Sequence, residues 1–221
     1  MKKFIFSTFA SLVIAPLCFS QTITLWTYET SLPALTDSAS ISGIAPEIGS
    51  GQASGLHLSA ATDWSNPVGN GSVESFSANE WAIGDYYQFQ TSTVGFSDIF
   101  VSWDQTRSST GPATFDVAYS LDGNNFTIAL DNYTLPVISW SSGAPDATLT
   151  TSFAVDLSSV SALNNAPAVY FRLIADAAPS ATAGTSRNDN FLVGSGPIPE
   201  PSTYALGALG LAAFYFLRRR K

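Results

Sequence analysis

The segment Thr114-Phe115-Asp116-Val117-Ala118-Tyr119-Ser120-Leu121-Asp122-Gly123-Asn124-Asn125-Phe126-Thr127-Ile128-Ala129-Leu130 decides the fold. Phe115, Val117, Tyr119 and Leu121 alternate with Thr114, Asp116, Ala118 and Ser120, and the alternation resumes at Phe126, Ile128 and Leu130. A period of two puts successive side chains on opposite faces of an extended chain, so each run reads as a half-buried strand. Asp122-Gly123-Asn124-Asn125 supplies residues that tolerate positive φ, which joins the two strands as a hairpin.

The same alternation marks Ile99, Val101 and Trp103, then Phe153, Val155 and Leu157, then Val169, Phe171 and Leu173. Weaker strand signals cover Thr22 to Tyr28, Leu56 to Ala60, Tyr86 to Thr91, Val137 to Trp140 and Asn190 to Val193. That makes roughly ten strands. The helical signal in this region is a single turn at Ser158 to Leu163, and connections rich in Ser, Gly, Asn and Pro separate the strands. Open strand edges invite aggregation, so the expected fold is all-β, a jelly-roll-like antiparallel β-sandwich of two packed sheets.

Composition narrows the chemistry. Of 221 residues only 12% are charged, while 45% are hydrophobic and 13% aromatic, enough for a substantial core. One Cys and one His exclude a disulfide framework, thiolate metal cages and multi-histidine zinc sites. Between Gln21 and Gly196 stand three arginines (Arg107, Arg172, Arg187) against sixteen acids, a net −13. Such a body repels phosphate backbones, so nucleic acid is not an expected partner.

The two ends read as addresses. Residues 1–20 have the form of a secretory signal peptide, with Lys2 and Lys3 before the apolar run Phe4 to Leu17 and small residues before Gln21, which makes signal peptidase a partner. Cleavage after Ser20 removes Cys18. Lipid attachment at Cys18 is the weaker reading, because Leu17 is larger than the Gly, Ala or Ser usual before an acylated cysteine. At the other end, Gly194 to Ile198 reads as a linker. Then come Pro199, Glu200, Pro201 and Ser202, an apolar run from Tyr204 to Leu217, and the basic cluster Arg218, Arg219, Arg220 and Lys221. As a transmembrane helix those 14 residues span about 21 Å, short of a hydrocarbon core of about 30 Å. The basic cluster would be held on the cytoplasmic side.

Pro-Glu-Pro, a short Gly/Ala/Leu-rich helix and a terminal Arg cluster, in that order over Pro197 to Lys221, resemble the PEP-CTERM sorting signal of Gram-negative bacteria. The resemblance implies transient inner-membrane anchoring, recognition and cleavage by an exosortase, and delivery to the cell surface or exopolysaccharide matrix. The expected division is therefore a signal peptide at 1–20, a β-sandwich at 21–193, a linker at 194–198 and a sorting segment at 199–221 with its helix at 204–217.

Within the body, Trp81-Ala82-Ile83-Gly84-Asp85-Tyr86-Tyr87-Gln88-Phe89, the hairpin Tyr119 to Phe126 and the closing Arg187-Asn188-Asp189-Asn190-Phe191 are similar to galactose-binding-like sandwiches of secreted bacterial proteins. These are strand and turn motifs and carry no ligand with them.

Several residues invite a functional reading. Trp64 and Trp140, flanked by small polar residues, could form loop-tip platforms for a sugar ring, with Trp81 and Tyr133 as further options; the opposing reading is that all cap the core. Asp122-Gly123-Asn124-Asn125 offers oxygens for a structural calcium but lacks the closing Glu of an EF-hand loop, and a hairpin turn already accounts for it. His57 lies in a strand-like segment and reads as packed rather than as a base. Arg187 and Asp189 read as pairing with nearby charges or pinning the chain end. Gly-x-Ser-x-Gly, His-Glu-x-x-His and phosphate-cradling loops are absent from the sequence. The expectation is a noncatalytic surface or matrix protein without a cofactor. A carbohydrate-binding module and a glycan-active hydrolase are the alternatives.

Overall fold

Alternating apolar residues, with turn residues between the runs, fold here into thirteen strands and one short 3-10 turn in a computed structural model that describes residues 20–196. The expected signal peptide, apolar helix at 204–217, sorting residues Pro199 to Ser202 and basic cluster Arg218 to Lys221 lie outside the described residues. The strands are β1 (Gln21–Trp26), β2 (Thr36–Asp37), β3 (Ser40–Ile44), β4 (Gly51–Leu56), β5 (Asp63–Ser65), β6 (Phe76–Ala78) and β7 (Tyr86–Thr91). There follow β8 (Ile99–Arg107), β9 (Thr114–Ser120), β10 (Thr127–Thr134), β11 (Ser152–Asp156), β12 (Val169–Ala175) and β13 (Ser186–Ser195). Among the described residues no helix is long and apolar enough to cross a membrane.

All named pairings are antiparallel, and they form two sheets. The six-stranded sheet runs β10-β9-β12-β7-β4-β3. The seven-stranded sheet runs β11-β8-β13-β6-β5-β2, with β1 also pairing β13. β13 thus serves two short neighbours along one side, β6 through Ser186 to Asn188 and β1 through Phe191 to Ser195. The change of neighbour coincides with a bulge between Asp189 and Leu192, where Asn190 takes φ 52°.

The core between the sheets is aromatic. Trp26, Trp64, Trp103, Phe76, Phe89, Phe115, Phe171 and Phe191 are fully buried, and burying side chains of this size dominates the energetics of the fold. The tyrosine hydroxyls that enter it are all answered. Tyr28 donates to Asn188 Oδ1 at 2.6 Å, Tyr87 to the Ser186 carbonyl at 2.7 Å and Tyr133 to Gln105 Oε1 at 2.5 Å. Gln105, Ser186 and Asn188 therefore form a polar spine on the core face of β8 and β13, which avoids the cost of unpaired buried groups.

The hairpin forms as expected. Thr127 to Thr134 pairs with Thr114 to Tyr119, and Gly123 takes φ +74° in the turn. Asp122 Oδ1 accepts the amides of Asn124 and Asn125, each at 2.8 Å, and Asn125 Nδ2 donates to Oδ2 at 2.7 Å. These donors hold the carboxyl well below its ordinary range.

Three expectations are corrected. The strand predicted over Leu56 to Ala60 is instead β4, one stretch earlier, because its core face is Ala53 and Gly55 rather than large side chains. A Cβ on Gly55 would come within 2.3 Å of the Trp64 ring, so a neighbour's indole fills the space the strand's own residues leave. Val137 to Trp140 is not a strand but part of the connection between β10 and β11, tied down by Ile138 N donating to Thr106 Oγ1 at 3.2 Å. Gly194 and Ser195, read as linker, belong to β13; a Cβ on Gly194 would meet the Phe100 ring at 2.3 Å.

Candidate functional site

The outer face of the seven-stranded sheet carries a polar groove. Trp64, Phe76 and Asn188 point into the sandwich, so their neighbours Ser65, Ser77 and Arg187 point away from it. Register aligns these in one row across the sheet, Ser65 opposite Ser77, Ser77 opposite Arg187 and Arg187 opposite Thr106. The groove has a volume of about 480 Å³, with Pro67 on one side, Val137 to Ser139 on the other, and Arg107, Ser108, Ser109 and Thr185 completing it. None of its lining residues is acidic.

Arg187 is held by two contacts. Its Nη1 donates to the Val68 carbonyl at 2.8 Å, and its Cζ lies 5.0 Å from the centroid of the Trp140 ring. Desolvation lowers its pKa, opposed by the charge of Asp189, yet a guanidinium remains protonated. Arg107 is engaged with the carbonyls of Leu135, Ser108, Ser109 and Gly111. Among the described residues neither arginine has a carboxylate within 4.0 Å, so the expected charge pairing of Arg187 does not form.

Asp189 lies on the same face two residues along. It is fully buried against the connection 66–75, which is tied to a second connection, 135–151. These are joined by Gly71 N to the Ser141 carbonyl at 3.0 Å and Asp146 N to Asn70 Oδ1 at 2.7 Å. Asp189 accepts from Ser72 Oγ at 2.6 Å, Asn70 N at 2.8 Å and Asn190 N at 2.7 Å. Desolvation raises its pKa to about 6 against the pull of those donors, with the cross-strand Asp104 adding to the rise. Asp189 therefore pins the loops over the sheet rather than pairing with a cation, and its proton faces no open cleft.

The predicted platforms are elsewhere than expected. Trp64 is 0% exposed, and its Nε1 donates to the Ser38 carbonyl at 2.8 Å. Its ring lies against Phe76 and His57, leaving no face for a sugar. Trp140 is 7% exposed, covered by Arg187, with its Nε1 buried and without a partner; it borders a recess of about 250 Å³ beside the groove. Trp81 and Tyr133 are likewise core residues at 4% and 8% exposure. The platform reading of these rings is thus corrected to a packing role.

His57 stands at 4.6 Å and 4.2 Å from the ring centroids of Trp64 and Trp81. Thr62 Oγ1 donates to the Ser59 carbonyl, so at 3.1 Å it accepts from His57 Nδ1, leaving Nε2 bare and unpartnered. Burial lowers the pKa to about 3, so the nearby Asp85, 3.6 Å away, faces a neutral ring. Among the described residues no cluster of three or more His, Cys, Asp or Glu could hold a metal.

The opposite outer face holds the third body arginine. Arg172 lies with Cζ 3.7 Å from the ring centroids of both Tyr86 and Phe126, and its Nε donates to Gln88 Oε1 at 2.8 Å. Sequence reasoning missed this cluster and the groove, because each draws its members from strands far apart in the chain. The local signal available was the scarcity of cations, which makes any arginine conspicuous.

Together these features define an all-β sandwich with a polar groove on one outer face. Residues 197–221 match the PEP-CTERM protein-sorting motif, which indicates an exported chain sorted and processed by an exosortase, with the C-terminal signal anchored in the membrane beforehand. No curated protein matches the chain. Among solved structures it is similar to the K1 cleaved adhesin domain of Lys-gingipain from Porphyromonas gingivalis W83, at 12% identity and TM-score 0.43 over 79% of this chain and 97% of that one. It is also similar to TmCBM61, solved in complex with beta-1,4-galactotriose, at 9% identity and TM-score 0.32 over 76% of this chain and 89% of that one. The sandwich assignment rests on the two sheets and their registers.

Proposed function

We propose that this chain is a noncatalytic surface protein whose sandwich is a structural or binding component of the cell surface or exopolysaccharide matrix. The observation that carries this reading is the placement of the sorting motif. β13 ends at Ser195 and the motif begins at residue 197, so cleavage near Pro199-Glu200-Pro201 would release the sandwich with its last strand complete. Changing Pro199, Glu200 and Pro201 together to Ala tests it: full-length protein should then accumulate in the inner membrane. Normal delivery of that variant to the surface would contradict exosortase sorting.

Carbohydrate binding is the second reading, favoured by the hydroxyl-lined groove around Arg187. It draws no support from Trp64, which the core encloses.

A further inference from the structure

We infer that the groove around Arg187 binds a carboxylate-bearing sugar unit, such as a uronate of an acidic polysaccharide. This specifies the partner within the matrix reading above and rests on it.

Five observations converge. Against the acidic body, the groove is a local exception: Arg187 lines it and no acid does, while Arg107 borders it with its guanidinium taken up by backbone carbonyls. Arg187 is not neutralised by an ion pair, and among the described residues its only hydrogen bond uses Nη1, so Nε–H and the Nη2 donors have no protein acceptor. Those donors form the fork that matches a carboxylate bidentately. The indole of Trp140 packs against the guanidinium, with Cζ 5.0 Å from the ring centroid, and with the Nη1 hydrogen bond to the Val68 carbonyl helps to hold it in place. Exposed Ser139 on the wall and Ser65 two strands along the same cross-strand row offer hydroxyls to a sugar ring, whereas Ser77, next to Arg187, is buried and donates to the Ser186 carbonyl. The volume of about 480 Å³ falls within the usual range for small-ligand sites, roughly 300–1,000 Å³.

Arg172 shows the contrast. Two aromatic rings and Gln88 already occupy its guanidinium, so it offers no comparable fork.

The test uses the full-length chain in mild detergent and measures retention on immobilised polygalacturonate, neutral dextran and dextran sulfate. Wild type should be retained by polygalacturonate and pass through dextran. Arg187→Gln should weaken retention about ten-fold or more, the scale of one lost charge-assisted pair. Ser139→Asp, an exposed wall substitution that leaves the fold alone, should weaken it several-fold by repulsion, and Arg172→Gln should leave it unchanged. The inference is overturned if polygalacturonate does not retain wild type, if dextran or dextran sulfate retains it as well or better, or if Ser139→Asp has no effect. Equal losses in Arg172→Gln and Arg187→Gln would also overturn it. Fractionation of host cells separates the two readings. Surface delivery without polygalacturonate retention removes the groove assignment alone, whereas retention by a chain left in the inner membrane supports the groove and removes the matrix role.

Discussion

His57 and Asp189 are both buried, one between the sheets and one under the loops outside the seven-stranded sheet, and the protein treats them oppositely. His57 sits among indoles with one hydrogen-bond partner, and burial keeps it neutral, with a pKa of about 3. Asp189 receives three donors, and at a pKa of about 6 it stays largely ionised at neutral pH. The difference is the supply of partners for the charged form: three donors answer the Asp189 carboxylate, whereas the second N–H of a His57 imidazolium would find no acceptor. The inner side is dry and shaped by aromatic packing, while the outer side is polar, covered by connections, and carries the groove.

The largest expected effect breaks the dry side. Trp64→Ala empties the space beside Gly55 and His57 and should cost about 3–5 kcal/mol in urea unfolding. A cost under about 1 kcal/mol would mean that Trp64 is not packed as described.

The next prediction sets the two titrations against each other. The folded pKa of His57, about 3, lies below its ordinary 6.5, so the unfolded chain takes up the proton first. Its contribution is whole above pH 6.5 and is lost at about 1.4 kcal/mol per unit as pH falls towards 3. Asp189 has a folded pKa of about 6, above its ordinary 3.8, so the folded state takes up the proton first and gains stability from pH 6 down to 3.8. Asp85, also raised by burial, acts in the same sense. Between about pH 4 and 6 the two main effects nearly cancel. Asp189→Asn should therefore unmask His57, with roughly 2–3 kcal/mol of additional loss between pH 6 and 4. His57→Phe should leave the Asp189 effect unopposed, making stability at pH 4 relative to pH 6 higher than in wild type. Denaturant midpoints across that range check both.

Smaller effects sharpen the contrast between the outer faces. Arg172→Gln removes two cation–π contacts and should cost about 1 kcal/mol. Ser139→Asp on the groove wall should change stability by less than about 0.5 kcal/mol, although it alters binding.

Strands with one face on the core were legible wherever that face carries large side chains, as in β8, β9, β11 and β12. β4 was not, because Gly-Gln-Ala-Ser-Gly-Leu has its packing supplied by Trp64 from another strand. Trp64 misled for a related reason. Its polar neighbours Asp63 and Ser65 are the outward positions of a three-residue strand, which in sequence look like a loop tip. Val137 to Trp140 alternates as a strand would, but its partner is a side-chain hydroxyl rather than a ladder. The groove left no local signature, since Ser65, Ser77 and Arg187 meet only through register. The sorting tail, in contrast, is a contiguous motif and could be read directly.

Export followed by processing is the central claim, and intact mass tests it most directly. Protein recovered from the surface or medium of the native host should end near residues 197–203, with the sandwich complete through Ser195. A surface form that retains Arg218 to Lys221 would contradict it and place the functional protein at the inner membrane as a permanently anchored chain.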